Sequence, residues 1–359
     1  MNTPQRLPAS LTPLDKALAE LLRSLEPMAA RERAPGVAPT SDIAGLDALK
    51  AWPPHDIAAV DGWALRASDL VGASSYTPLP LMKEPAWVEA GDSIPDRCDC
   101  VLDEDAVDRT GPMAQVLAEA IPGQGIRRKG GEIADTSAIV ETWRPRDVHH
   151  VLRIRVVNVP GGDITARLIA QSLRAAGADI ECVEAEARDV MSIAKALDVS
   201  ACDLLITIGG SGVGRTDATV LALAKRGEVL VHGLALQPGR TGAVGRIGTT
   251  PVVVLPGAPD QALAVWWTMV LPTLDRLAAA QPKTATRPLT QKIASSVGIA
   301  EIVLLAEEDG AQDGAWTPLA VGDLPLKAIG RAKAWLVVPG DSEGYAAGTP
   351  VNAYLLDSR

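Results

Sequence analysis

The sequence contains no phenylalanine, three tyrosines and eight tryptophans, so aromatic residues make up only 3% of it. Core volume must therefore come from Leu, Val, Ile, Ala and Trp; nothing about function follows from this. Cysteine is scarce too. Cys98, Cys100, Cys182 and Cys202 form no Cys-x-x-Cys pair and stand at no zinc-site spacing from His55, His149, His150 or His232. That favours structural thiols over a metal or redox centre. No apolar run approaches the roughly 18 residues of a membrane span. The first stretch, "MNTPQRLPASLTPLDKALAELL", lacks the apolar segment of a secretory signal. The chain reads as soluble and cytoplasmic. Positive charge is also in deficit: 34 Lys and Arg against 44 Asp and Glu leave a formal charge of −10. This excludes broad binding to nucleic acid or to anionic membranes, while leaving room for a local basic pocket.

What is present is 359 residues, 47% of them hydrophobic, enough for two or more domains with real cores. "LDKALAELLRSL" (14–25) spaces its apolar residues at helical intervals. Residues 27–125 are punctuated by proline and glycine around short runs such as "AWVEA" and "CVLDEDAV", which predicts a β-rich region. From 151 the rhythm changes. "LRIRVVNV" (152–159), "DIECVEAEA" (179–187), "DLLITIGG" (203–210) and "EVLVHGLAL" (from 228) read as strands. Between them lie helical stretches opened by Asp163, by Asp189 and by Thr216–Asp217, with Gly177 suited to the position after the first. "TPVVVLPGAP" and the helical "DQALAVWWTMVLPTLDRLAA" follow. Alternating strands and helices predict βαβ units with a mostly parallel sheet over 150–281. The tail, 282–359, is strand-like again and reads as a small β domain. Residues 1–149 then form an N-terminal helix and an elongated β-rich arm of two subdomains.

Ligands of such sheets bind at the C-terminal ends of the strands. Three glycine-rich loops follow strands here: "VPGGD" (159–163), "GGSGVGRTD" (209–217) and "LPGAPD" (255–260). All three should leave one edge. In the middle loop glycines let backbone N–H groups approach an anion, a helix N-terminus follows, and Ser211, Arg215 and Thr216 add polar groups. It is neither a P-loop nor G-x-G-x-x-G, so a plain strand–helix turn stays open. Asp217 and Asp189 either cap helices or hold Mg²⁺ beside a phosphate. Arg240 and Arg246 in "LQPGRTGAVGRIG" (236–248) either neutralise an anionic ligand or decorate a solvated hairpin. In "DIAAVDGWALRASDL" (56–70), Asp61-Gly62 reads as a hairpin corner.

Taken in order, these stretches resemble the molybdopterin molybdotransferase family, of the bacterial MoeA and gephyrin E-domain type. "AAVDGWALR" is similar to the family's S-A-M-D-G-Y-A at Asp61, Gly62 and Ala64. "AGDSIPDRCDCV" matches T-G-A-x-x-P-x-G-x-D-x-V-V at Gly91, Pro95, Asp99 and Val101, and "GQGIRRKGGEI" matches G-x-x-I-R-x-x-G-E-D at Ile126, Arg127, Gly130 and Glu132. "GGSGVGRTD" is similar to G-G-V-S-V-G-x-x-D, "LQPGRTGAVGRIG" to K-P-G-K-P-x-x-x-G, and "LPGAP" to L-P-G-N-P.

The resemblance implies a three-layer α/β molybdopterin-binding domain between the arm and the C-terminal β domain. It implies that molybdate is inserted into adenylylated molybdopterin with release of AMP. Gly209, Gly210, Ser211, Gly212, Gly214, Thr216, Pro238, Gly239, Arg240, Pro256, Gly257 and Pro259 would hold the ligand. Asp189 and Asp217 would sit with Mg²⁺ and phosphate, and Asp61 would come from the opposite subunit of a homodimer. A molybdoenzyme client and a molybdopterin adenylyltransferase are the partner classes it suggests.

The departures concern polar groups. Ala90 stands for a Thr, Gly212 for a Ser, Gln237 for a Lys, Thr241 for a Pro, Ala258 for an Asn, Gln261 for a Ser and Thr165 for an Asn, and the T-G-D-E-L stretch is missing. Lost hydrogen-bonding groups weaken binding and chemistry. A non-catalytic pterin carrier or maturation partner is therefore the rival reading. A nucleotide hydrolase of the competence-damage type, sharing only the α/β module, is a third.

Overall fold

The computed structural model describes residues 10–23, 25–28, 53–131, 152–161, 163–307 and 314–356, together with Gln5, Leu7 and Pro8. Glu132, His149, His150 and the expected boundary near residue 150 lie outside them. The chain divides into two compact units, Ala48–Ile133 and a larger one combining Met1–Asp47 with Ala134–Arg359.

The smaller unit is built from short antiparallel strands, as its Pro/Gly punctuation predicts. Gly62–Leu65 runs between Ala86–Val88 and Cys100–Leu102. A second three-stranded sheet joins Val107–Asp108, Gln115–Val116 and Leu79–Pro80, and Ile57–Ala58 pairs with Ile126–Arg127. Trp63 and Trp87 meet edge to face at 5.0 Å inside it. Asp61-Gly62 is not a hairpin corner. Asp61 closes a bend over 59–61 and Gly62 begins the central strand, where a Cβ on Gly62 would lie 2.1 Å from the Leu102 carbonyl oxygen. Glycine is needed there because the neighbouring backbone comes too close for any side chain. Asp99 is a scaffold residue: its Oδ1 accepts the Ala67 N–H at 2.7 Å.

The larger unit opens with α1, Leu14–Leu22. Its sheet has six strands: β1 (Arg153–Asn158), β2 (Asp179–Glu184), β3 (Leu204–Ile208), β4 (Glu228–His232), β5 (Ala243–Ile247) and β6 (Thr250–Leu255). Their order is β2-β1-β3-β6-β5-β4, parallel across β2-β1-β3-β6 and antiparallel beyond. The helices are α2 (Asp163–Ala175), α3 (Val190–Ala196), α4 (Thr219–Arg226) and α5 (Pro259–Val265). A π-helical turn, Trp266–Val270, carries α5 into α6, Leu271–Leu277. Gly177, just past α2, takes φ +88° as expected of a C-terminal cap.

β3 is buried along its whole length, the mark of a central strand covered on both faces. Its Leu205 packs with Val157, Val252 and Val254 and with Ile193 of α3 and Leu223 of α4. The residues alternating with it, Leu204, Ile206 and Ile208, are equally inaccessible on the opposite face. α2 and α5 pack against each other and against sheet strands. This is the three-layer α/β arrangement.

The tail is strand-rich: Ala300–Glu307, Ala334–Val338, Pro350–Leu355 and Thr284–Pro288 lie side by side, with Trp316–Val321 paired to Ala300–Glu307, and Leu236–Gln237 from the preceding segment joins the sheet beside Ala300–Glu307. Tryptophan supplies the bulk that phenylalanine would. Trp266, Trp267 and Trp316 are fully buried, and Trp267, Trp335 and Tyr354 stack at centroid distances of 5.0 and 4.4 Å.

Gly62→Ala should destabilise the smaller unit by about 2 kcal/mol, the cost of overpacking against rigid backbone. Urea unfolding followed by Trp63 and Trp87 fluorescence would show an earlier transition.

Candidate functional site

β1, β3 and β6 are adjacent and parallel, so the loops 159–163, 209–217 and 256–260 leave the same edge of the sheet. The loop after β2, carrying Arg188 and Asp189, leaves it too. Sequence spacing predicts this convergence, and the strand order produces it.

The middle loop starts with Gly209 at φ +89° and Gly210 at φ +66°. A Cβ on Gly210 would lie 2.4 Å from Thr219 Oγ1. Instead Thr219 Oγ1 donates to Gly209 O at 2.8 Å and Thr219 N to Gly210 O at 3.0 Å, tying the loop's start to the first residue of α4. Ser211 is 2% exposed, its hydroxyl 3.4 Å from Thr241 Oγ1. The hydroxyl is turned inward. Val213, Arg215 and Thr216 are exposed.

α4 begins at Thr219, later than the pattern "TDATV" suggests, with Ala218 in the capping position. Asp217 does not cap it. Its Oδ2 accepts the Gly214 N–H at 3.0 Å while its own N–H bonds Gly214 O, closing a turn over 214–217. Its Oδ1 accepts Arg188 Nη2 at 2.9 Å. Arg188 Nη1 also donates to Pro160 O at 3.2 Å, so one guanidinium draws together the loops after β1, β2 and β3. Asp189 does cap: Oδ1 accepts the N–H groups of Met191 and Ser192 at 2.9 and 3.0 Å, and Oδ2 accepts the Ser192 hydroxyl at 2.6 Å.

The remaining predicted residues are spread more widely. Thr165, fully buried, donates its hydroxyl to Gly257 O at 2.6 Å and so holds the Pro256–Pro259 loop from α2. Ala258 takes the cap position of α5, and Pro259 is that helix's first residue. Gln237–Pro238 is cis, and Pro238 and Gly239 are buried in a turn that leaves Arg240 at the surface. Arg246 is a hairpin residue paired with Glu228 at 2.6 Å, the bland alternative of its two readings. Asp61 belongs to the smaller unit, where its Oδ1 accepts the Ala90 N–H at 2.8 Å.

Two family models match the chain in succession. One is described as "MoeA N-terminal region (domain I and II)" and covers 12–149; the other is described as "Probable molybdopterin binding domain" and covers 155–276. The chain belongs to the MoeA family. Its α/β unit is a molybdopterin-binding domain of molybdenum cofactor biosynthesis. The match over 12–149 takes in a region that a hydrolase sharing only the α/β module leaves unexplained.

Among relatives, the chain is 25% identical to the Molybdopterin molybdenumtransferase 2 of Mycobacterium tuberculosis, over 94% of this chain and 97% of that protein. It is 25% identical to the Molybdopterin molybdenumtransferase of Haemophilus influenzae over 63% and 67% of the two chains. A molybdopterin biosynthesis MoeA protein of Pyrococcus horikoshii shares the fold, with a TM-score of 0.50 at 21% identity, over 98% of this chain and 100% of that one.

Against this family background, Mg²⁺ is a poor fit to the two acids. Mg²⁺ takes one or two carboxylates open to the ion together with substrate oxygens. Here Asp189 is committed to a helix cap and Asp217 to a guanidinium and a backbone N–H. Among the described residues no group of three or more His, Cys, Asp and Glu side chains is arranged to hold a metal. The thiols do not serve either: burial pushes Cys100 and Cys202 up to about 11.

Sequence reasoning passed over Arg188, whose signal was a cation beside Asp189 at a strand's C-terminal end. It also missed Gln5, which no pattern could flag. Gln5 is 3% exposed and donates through Nε2 to Gly210 O at 3.2 Å, 205 residues away, and to Gly212 O at 2.6 Å; its Oε1 accepts the Val220 N–H of α4 at 2.9 Å.

The bonds from Ser192, its hydroxyl first, hold the Asp189 carboxyl below its ordinary value of 3.8. A depressed folded pKa stabilises above the unfolded value and is lost as pH falls through the folded one. The stability difference between wild type and Asp189→Asn should therefore be constant above about pH 5 and shrink below 3.8, as read by urea midpoints across pH.

Proposed function

We propose that the protein binds adenylylated molybdopterin at this sheet edge and inserts molybdate into it with release of AMP, in the cytoplasm. The convergence of three strand-end loops with Arg188 and the exposed Arg240, in a chain of net charge −10, carries this reading. An acidic protein that gathers cations and glycine backbone at one strand edge is suited to an anionic ligand.

The residues divide the task. The 209–217 loop offers backbone to the phosphate end. Arg240 presents charge to it from the neighbouring turn. Arg188, oriented by Asp217, holds three loops in one arrangement so that the ligand meets a preorganised site. Neutralisation is assigned to Arg240 and the loop backbone rather than to Mg²⁺, and no step passes through the metal. The α/β domain, 150–281, provides this surface, and the 282–359 domain packs as a β module. The N-terminal arm, 1–149, would carry Asp61 to the same edge of the opposite subunit in a homodimer.

The carrier reading is supported by one specific feature: Gly212, Ala258 and Ala90 replace polar groups, and Thr165 spends its hydroxyl on the Gly257 carbonyl. Such a protein would hold molybdopterin or finished cofactor for a molybdoenzyme client or receive it from a molybdopterin adenylyltransferase.

Turnover decides between the two. With adenylylated molybdopterin and molybdate, the insertion reading expects stoichiometric AMP release; tight binding without AMP at saturating substrate establishes the carrier. In the active case Arg240→Ala should raise KM about tenfold, the worth of one charge-assisted contact, with kcat little changed.

A further inference from the structure

We propose that Gln5 is a positioning residue which, together with His232, turns the N–H groups of Ser211, Gly212 and Val213 outward as a backbone nest for the phosphate of the pterin ligand. This rests on the reading of the sheet edge as a pterin site and names the groups that take its anion.

Three consecutive carbonyls of the loop are held from behind. Gln5 Nε2 donates to Gly210 O at 3.2 Å and to Gly212 O at 2.6 Å. His232 Nε2 meets Ser211 O at 3.0 Å; since a carbonyl only accepts, that nitrogen carries the proton. The cis peptide at Gln237–Pro238 lies elsewhere, so the loop's peptides are trans. In a planar trans peptide the C=O and the following N–H point in opposite directions. Fixing the carbonyls of 210 and 212 on Gln5 aims the N–H groups of Ser211 and Val213 away from it. Fixing the carbonyl of 211 on His232 does the same for Gly212. Among the described residues these three N–H groups donate to no protein acceptor. Successive outward N–H groups after left-handed glycines form an anion-binding concavity.

The same geometry corrects an expectation. The N-terminus of α4 is not open to the anion, because Gln5 Oε1 accepts the Val220 N–H and Thr219 N is spent on Gly210 O. Gln5 thus moves the anion from the helix end to the loop in front of it. The segment that delivers Gln5 is anchored in turn. Thr12 N donates to Gly233 O at 3.0 Å, Ala235 N donates to Thr12 O at 2.8 Å, and the side chains of Leu7, Pro8 and Leu11 lie against Gly233. Burial lowers the pKa of His232, which keeps it neutral and leaves the nest's charge to the backbone dipoles.

Titration calorimetry of the full chain with molybdopterin and with its dephosphorylated form tests this. Wild type should prefer the phosphorylated ligand. Gln5→Met, close in volume but unable to make the three bonds, should weaken the phosphorylated ligand about tenfold and leave the dephosphorylated one within about twofold. His232→Leu should do likewise, and His232→Gln, which can donate to the same carbonyl, should restore the preference. Equal weakening of both ligands, or no weakening, overturns the proposal, as does a wild type that binds both forms equally. Should Gln5→Met not fold, the His232 pair decides. Failure of wild type to bind either form removes the pterin reading itself.

Discussion

The parallel pairing of β3 between β1 and β6 is what everything else depends on. Because β3 is buried along its whole length and covered on both faces, it is a central strand. Its register with Arg155–Asn158 and with Val252–Leu255 then brings three strand ends to one level. The loops at 159, 209 and 256 meet there without any contact between their own side chains being needed. The convergence of these loops is a consequence of burying β3.

On that edge, side-chain polar groups serve the loops more than they serve solvent. Arg188 holds Pro160 O and Asp217, Thr165 holds Gly257 O, and Gln5 and His232 hold the carbonyls of 210–212. Buried carbonyls must be paired, and each such bond restricts how its peptide can turn. In the proposed reading a ligand would therefore meet backbone groups set in direction by side chains behind them, beside the exposed Arg240. This gives a physical reading of the departures from the family pattern. Where Gly212 and Ala258 carry no polar side chain, the peptide groups remain.

Much of this was legible in order and type. The helix at 14–22, the alternation from 152, the caps at Asp189 and Gly177 and the shared strand edge all follow from periodicity and end signals of nearest neighbours. Other residues were placed differently for nameable reasons. Asp61-Gly62 looked like a corner, but the Leu102 carbonyl demands glycine in a strand. Asp217 looked like a cap or a metal ligand, but Arg188, 29 residues earlier, takes it. Thr165 looked like a weakened ligand residue, but it is buried under Gly257.

The sequence by itself determined the elements, the mostly parallel sheet and the family, because those rest on local periodicity and on motifs that occur in a fixed order. Only the tertiary structure decided how the strand-end loops are held. Gln5 and Arg188 reach the loop across long chain separations, and hydrogen-bond direction over such distances depends on how the elements pack, which no local pattern encodes.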